Sequence, residues 1–167
     1  MRRLLFVFAV LSAAALADEP GTKFLWYRIG MNFEDLRAVS LENCSNKAVQ
    51  NCQSKIEIGG KTRQVRVSIK NDKLQFVSFS LVGNDDFIVI ERMLTDRYGK
   101  PTDNKISTVQ NSYGAQFEKV RLVWTTHDAY ISASNMIGKV GEGGVTFHDR
   151  ASFDAEVQAL KSAPNPF

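Results

Sequence analysis

The chain has 167 residues, of which 44% are hydrophobic and 23% charged, and its formal net charge at pH 7 is +3. Basic and acidic residues are interspersed, without the basic cluster or tail that is typical of nucleic-acid-binding proteins. Beyond the first 17 residues, no apolar run approaches the roughly 20 residues that cross a bilayer as a helix. We therefore expect a globular domain that has no nucleic-acid partner and no stable membrane insertion.

The first 17 residues have the three-part pattern of a secretory signal peptide. Two arginines precede an unbroken apolar run from Leu4 to Val10, and the small residues Ala15 and Ala17 fit the A-x-A cleavage rule. We expect cleavage after Ala17 and a periplasmic or secreted product. An uncleaved membrane anchor is the alternative, which the short apolar run disfavours.

Removal of this segment changes the charge and defines the mature domain. Without Arg2 and Arg3, 19 of the 21 basic residues remain against 18 acidic ones, so the net charge falls to +1. We predict one domain over residues 18–163, an ordinary size for a single core. Residues 164–167 are predicted to form a flexible tail.

Cys44 and Cys52 are the only two cysteines. Export carries them into an oxidising compartment, where paired cysteines form disulfides, so we predict a bond between them. A redox-active pair is the alternative. Such pairs favour the C-x-x-C spacing, whereas seven residues separate these two.

In the first half of the chain, hydrophobic periodicity predicts one short helix and four strands. The predicted strands cover residues 24–29, 55–58, 61–69 and 74–82, and the helix runs from 32 to about 41. Gly59-Gly60 and Asn71-Asp72 are turn signals that join the last three strands into an antiparallel meander.

The second half repeats this order of a helix followed by strands. Helix signals begin at Asn84, an N-cap residue type, and end at Tyr98-Gly99. Strands are predicted at residues 105–110, 116–125, 129–137 and 145–147, and a final amphipathic helix begins at about residue 152.

This element order predicts an α+β fold in which two or three helices pack on one face of an antiparallel sheet. The two helix starts, Asn32 and Asn84, lie 52 residues apart, which also fits a tandem helix-plus-meander repeat. Such a fold leaves the other sheet face for solvent or a partner.

Two segments carry a resemblance to small exported bacterial domains. Residues 30–36, GMNFEDL, resemble the Gly-Met start of the first helix in that group. Residues 94–102, LTDRYGKPT, resemble its Tyr-Gly-x-Pro helix end, and the strand residue Trp124 follows. The chain is thus similar to beta-lactamase inhibitory protein and to the small outer-membrane assembly lipoproteins, although it has no lipid-acceptor cysteine near the predicted cleavage site. The resemblance implies their architecture and binding of other proteins through a sheet face.

The sequence contains no recognisable catalytic or metal-binding motif. His127 and His148 each precede an aspartate, a pairing that suits a metal ligand or a general base, but no third ligand or nucleophile motif accompanies them. The glycine-rich segment 138–144 lacks the G-K-[ST] signature of a phosphate loop. We expect no catalytic residues, no metal site, no cofactor and no enzymatic activity.

Four aromatic residues of predicted strands form the candidate binding surface, namely Trp26, Tyr27, Trp124 and Tyr130. Exposed strand aromatics bind peptides or sugars, although burial in the core is their commoner role.

The sequence therefore favours a non-enzymatic protein-binding domain of the bacterial envelope. Its partner would be another envelope or secreted protein. The domain would act as an assembly accessory, an inhibitor or an immunity-type protein. The alternative is a periplasmic protein that binds a small hydrophobic or carbohydrate ligand, suggested by 11 phenylalanines. A hydrolase that uses His127 or His148 is the third hypothesis.

Overall fold

The computed structural model describes residues 22–37, 41–44 and 49–162. The predicted signal peptide at 1–17 and the predicted tail at 164–167 lie outside these residues. Within them, the strands are β1 Lys23–Phe24, β2 Tyr27–Arg28, β3 Val49–Ile58, β4 Lys61–Lys70, β5 Lys73–Val82, β6 Asp103–Gln110, β7 Gln116–Thr125, β8 Ala129–Ser134 and β9 Glu142–Asp149. The helices are α1 Phe33–Arg37, α2 Gly83–Tyr98 and α3 Arg150–Ser162. No helix in this part of the chain is long and apolar enough to cross a membrane.

Seven of these strands form one antiparallel sheet in the order β3-β4-β5-β9-β8-β7-β6. Strands β3 to β5 form one meander and strands β6 to β9 form another. The two meanders join where β5 pairs with β9, from Phe76↔His148 to Val82↔Glu142. The predicted α+β class with an antiparallel sheet is therefore confirmed.

The hairpin turns predicted for the first meander are present. Gly59 and Gly60 connect β3 to β4 with φ angles of 58° and 70°, and Asn71 and Asp72 connect β4 to β5 with 52° and 60°. Positive φ at both central residues belongs to the tight turn whose twist matches that of the flanking strands. Glycine, asparagine and aspartate adopt this conformation at the lowest cost, so these dipeptides determine where each strand reverses.

The predicted strand at 24–29 is instead a tight hairpin. Strands β1 and β2 contain two residues each, and the turn between them includes Leu25 at a φ of 52°. In a continuous strand, residues three positions apart point to opposite faces. Phe24 and Tyr27 are both buried, and the turn is what brings both side chains into the core.

One face of the seven-stranded sheet packs against the core. Val77 of β5 and Phe147 of β9 are paired on this face, and both are buried. Helix α2 covers it through its buried apolar residues Phe87, Ile90 and Leu94. The N-terminal hairpin covers the same face, because the ring of Phe24 lies 5.1 Å from that of Phe79 and 5.0 Å from that of Phe147.

Helix α3 lies on the opposite face. The ring of Phe153 is 5.1 Å from that of Tyr130 and 5.2 Å from that of His148. Tyr130 and His148 are paired neighbours that alternate along their strands with the core residues Ile131 and Phe147. The predicted packing of two or three helices on one face is thus not confirmed, because the anchoring ring of α3 meets its aromatic partners on the other side of the sheet.

The predicted disulfide between Cys44 and Cys52 is present, with the two Cα atoms 4.1 Å apart. Cys52 lies within β3, where it is fully buried opposite Val67, and not in a loop before the strand. Close by, Glu42 and Gln53 exchange two backbone hydrogen bonds of 2.7 and 2.8 Å. The disulfide therefore ties the segment that precedes β3 to the outer edge of the sheet.

Reduction of this disulfide is expected to lower the midpoint of thermal unfolding by several degrees while the fold survives. Closing so short a loop stabilises by about 2 to 3 kcal/mol in the chain-entropy model, which is a large part of marginal stability. Melting curves with and without reductant measure the effect, and a C44S/C52S variant should not respond to reductant. Two titratable thiols in the unfolded, unreduced protein would refute the bond.

A buried carboxylate joins the start of β4 to the start of α2. The side chain of Asp86 is 8% exposed, and it pairs with Arg63 and, at 3.2 Å, with Lys61. It also accepts a hydrogen bond of 2.9 Å from the backbone N–H of Val82. Burial opposes ionisation, but the hydrogen bonds from Val82 and Lys61 and the positive charge of Arg63 outweigh it and lower the pKa of Asp86. The guanidinium group of Arg63 therefore lies on the core side of the sheet.

Replacing Asp86 with asparagine is expected to cost about 1.5 to 3 kcal/mol at neutral pH, the range for a hydrogen bond to a charged group. Because folding lowers this pKa, the stabilisation is present above the unfolded pKa of about 3.9 and is lost as the pH falls through the lower folded pKa. Urea unfolding of the wild type and of D86N should therefore differ at neutral pH and converge in acid. The matched control is D85N, at the exposed neighbouring position. An equal difference in unfolding free energy between D86N and the wild type at both pH values would contradict this account.

Candidate functional site

The structure does not bring together the four aromatic residues that the sequence suggested as a binding surface. Tyr27 and Trp124 are 2% and 1% exposed in the core, and the indole N–H of Trp124 donates to the carbonyl of Gly99 at 2.9 Å. Trp26 is 46% exposed at the turn between β1 and β2. Tyr130 is half-buried on the other side of the sheet. Only Trp26 and Tyr130 are therefore accessible, and they belong to different surfaces.

The two histidines also lie apart. His127 is 72% exposed in the turn between β7 and β8, with its Nδ1 3.5 Å from Asp128. The Asp128 carboxylate accepts hydrogen bonds from the backbone N–H of Thr22 at 2.7 Å and from the hydroxyl of Thr126 at 2.9 Å, so it anchors the N-terminal hairpin. His148 is half-buried in β9. Over the described ranges, no group of three His, Cys, Asp or Glu side chains is placed to hold a metal ion.

The open face of the three central strands forms a trough. Its floor consists of small side chains of β5, β9 and β8, which the register places in two rows, Ser78–Thr146–Ser132 and Ser80–Gly144–Ser134. Larger side chains surround this floor and border a cavity of about 810 Å³. Because successive side chains of a strand point to opposite faces, the backbone of the sheet separates the trough from the core.

Basic side chains form the two long walls of the trough. On one side, Arg66 of β4 lies opposite Ser78. On the other side, Arg121 of β7 lies opposite Ser134, and Lys119 precedes it on the same face of the strand. Four inter-strand steps, or about 19 Å, separate the backbones of β4 and β7. In the part of the chain that the structure describes, no Asp or Glu lines the trough.

Apolar residues line the two ends of the trough. At one end, Ile137 lies so close to Gly144 that a Cβ atom at that glycine would come within 3.1 Å of the Ile137 Cδ1 atom. Val82 lines the same end. At the other end, the rings of Phe76 and His148 are 4.4 Å apart. The absent side chain of Gly144 therefore allows the segment after β8 to fold back over the floor.

A second cavity, of about 710 Å³, lies between α3 and the same face of the sheet, and we call it the α3 groove. Phe76 and His148 line both the trough and the α3 groove. Helix α3 is described over its whole length, and none of its residues is fully buried. Its contacts with the sheet include the ring of Phe153 and a hydrogen bond between Ser152 and Gln75. The helix is thus held by few side chains.

Burial favours the uncharged form of His148, which lies at the junction of these two cavities. Burial lowers the pKa of His148, and the carboxylate of Glu156 on α3 opposes this effect only in part. The imidazole contacts the rings of Phe76 and Phe153, and protonation there would place a charge in a poorly solvated position. We therefore expect the contact between His148 and Phe153, which is one of those that hold α3 to the sheet, to weaken when His148 is protonated.

The residues of the trough floor are ones that sequence reasoning missed. Ser78 and Ser80 alternate with buried hydrophobic residues in one predicted strand, and Ser132 and Ser134 do so in another. This pattern indicates a face of small side chains in each strand. The two faces form one continuous floor because β5 and β8 both flank β9. The sequence does not show this strand order.

No protein-family model, curated protein or solved structure matches this chain. The resemblance to small exported bacterial domains therefore rests on residues 30–36 and 94–102 and on Trp124.

Lowering the pH is expected to loosen α3 from the sheet. Because folding lowers the pKa of His148, its contribution to stability is complete above the ordinary value of about 6.5 and decreases as the pH falls toward the folded value. Amide hydrogen exchange, corrected for the intrinsic pH dependence, should rise in α3 and not in α2 between about pH 7.5 and 5.5. The H148F variant keeps an aromatic ring and should abolish this response. A response of wild-type size in H148F would contradict the role of His148.

Proposed function

We propose that this chain is a non-enzymatic protein-binding domain, exported to the bacterial envelope, and that the trough is its binding surface. The observation that carries the proposal is the open face over β5, β9 and β8, which is accessible at Ser78, Ser80, Ser132 and Thr146, whereas Gly144 and Ser134 are buried at one end. A solvated sheet face needs only polar side chains. Solvation alone does not require long basic side chains to surround a floor of small residues. This arrangement therefore favours a role in recognition.

The dimensions and chemistry of the trough support contact with a protein segment. A space of about 19 Å between the backbones of the wall strands accommodates an α-helix, whose diameter with side chains is about 10 to 12 Å, or a loop. The hydroxyls of Ser78 and Thr146 both donate and accept hydrogen bonds, whereas the guanidinium groups of Arg66 and Arg121 only donate.

Three further features support an envelope setting. The pattern of residues 1–17 predicts export. The Cys44–Cys52 disulfide is compatible with an oxidising compartment. The resemblance is to domains that bind other proteins through a sheet face. The partner is then another envelope or secreted protein, and an assembly accessory, an inhibitor and an immunity-type protein all fit this surface.

The α3 groove favours a second candidate function, which is the binding of a small hydrophobic or carbohydrate ligand. Its volume of about 710 Å³ falls within the range of roughly 300 to 1,000 Å³ for small-molecule sites. Phe76 and Phe153 offer aromatic surface, and Lys70 and Gln75 offer polar groups. This combination suits a sugar better than a purely hydrophobic ligand. We place it second because α3, one wall of the groove, is held by few side chains.

Filling the trough is expected to abolish partner binding without unfolding the protein. Ser132 is half-buried at the centre of the floor, so tryptophan in S132W would project into the cavity and away from the core. The immobilised mature protein and S132W should be compared in affinity capture from an envelope extract. The matched control is T108W, which places the same side chain at an exposed position of β6 outside the trough.

A partner retained by the wild type and T108W and lost with S132W is the expected result. Equal retention by all three proteins would show that the trough is not the binding surface. If a sugar or apolar compound bound the wild type and S132W equally and was lost in A155W, in which the groove is filled, the second candidate would replace the first.

A further inference from the structure

From the charges of the trough we infer that its occupant is an acidic segment of a partner protein, with apolar residues on either side of its acidic centre. The carboxylates of this segment would be bound by Arg66 and Arg121 from opposite walls. This inference rests on the proposed function and specifies the chemistry of the partner.

The basic side chains of the walls have no compensating acid within the trough. Arg66, Lys119 and Arg121 line it, and among the described residues no Asp or Glu does so. None of the three forms an ion pair with another described residue, and the Arg121 Nε–H donates only to the hydroxyl of Ser132, at 3.2 Å. Arg63 is different, because its guanidinium pairs with Asp86 on the core side. The trough is therefore locally positive, although the predicted net charge of the mature protein is only +1.

The position of the arginines allows both to contact one segment. Arg66 and Arg121 lie in neighbouring rows of the register, opposite Ser78 and Ser134, on strands about 19 Å apart. A helix of about 10 to 12 Å diameter fills most of that width, so each arginine can reach carboxylates on its own side. Arginine binds carboxylates with two parallel hydrogen bonds, which gives orientation as well as affinity.

The ends of the trough favour a protein over other polyanions. Val82 and Ile137 are 59% and 62% exposed at one end, and Phe76 lies at the other. Exposed apolar residues next to basic walls match a segment that carries apolar side chains on both sides of its acidic centre. A sulfated or phosphorylated glycan has no side chains of that kind. A flat anionic membrane would contact the basic walls without filling the floor between them.

The test is a selection from an unbiased display library of linear peptides against the immobilised mature protein. Binders that are lost with S132W and kept with T108W depend on the trough, and we expect this class to be enriched in Asp and Glu with apolar flanks. Synthetic versions of these peptides are then titrated against R66Q/R121Q. The control is R92Q/K100Q, which removes the same charge from exposed positions in and after α2. We expect affinity to fall about tenfold or more in R66Q/R121Q, with a weaker salt dependence, and to change little in the control.

The other outcomes separate this inference from the proposed function. Trough-dependent peptides that are neutral or basic, or that bind R66Q/R121Q as well as the wild type, would overturn the inference and leave the trough as a protein-binding surface. A library with no trough-dependent binder would overturn both. Heparin and vesicles of phosphatidylglycerol are titrated in parallel. Arginine-dependent binding of either, where acidic peptides fail, would identify a glycan or lipid in place of a protein.

Discussion

The antiparallel pairing of β5 with β9 is the interaction on which the rest of the structure depends. It joins a three-stranded and a four-stranded meander along seven residue pairs. On the core side it places Phe79 beside Val145, and on the open side it places Ser78 beside Thr146. One row of backbone hydrogen bonds thus creates the shared core and the continuous floor of the trough together.

Features that depend on neighbouring residues could be predicted from the sequence, and features that depend on distant ones could not. Gly59-Gly60 and Asn71-Asp72 specify their turns through local backbone preference, and Cys52 is the one other cysteine in the sequence with which Cys44 can pair. The β5–β9 pairing has no such local signal, since any strand with an apolar face fits beside any other. The hairpin of β1 and β2 escaped prediction for a related reason. The alternation at 24–29 fits a strand. Both Phe24 and Tyr27 are buried in the core, however, and a continuous strand would place their side chains on opposite faces.

The four aromatic residues of the predicted binding surface are conspicuous in the sequence, whereas the small residues of the trough floor are not. Trp124 attracts attention in the sequence, yet its size makes it one of the largest fully buried side chains. Ser78 and Ser132 carry little information singly, because serine on a solvated strand is ordinary. The trough is the space that these small side chains leave unfilled between Arg66 and Arg121. Those two arginines lie in different meanders, so only the order of the strands shows that they face each other.

The disulfide also bears on how this sheet meets other sheets. Strands β3 and β6 are its two edges, and an edge strand offers unpaired backbone groups to any other chain. At β6, the side chains of Asp103 and Lys105 supply the charges that discourage such pairing. At β3, the backbone of Gln53 is already paired with Glu42, and the adjacent Cys44–Cys52 bond holds that short cover in place. We therefore expect oxidation of these two thiols to disfavour strand-to-strand association between copies of the chain at this edge, as well as to stabilise the fold.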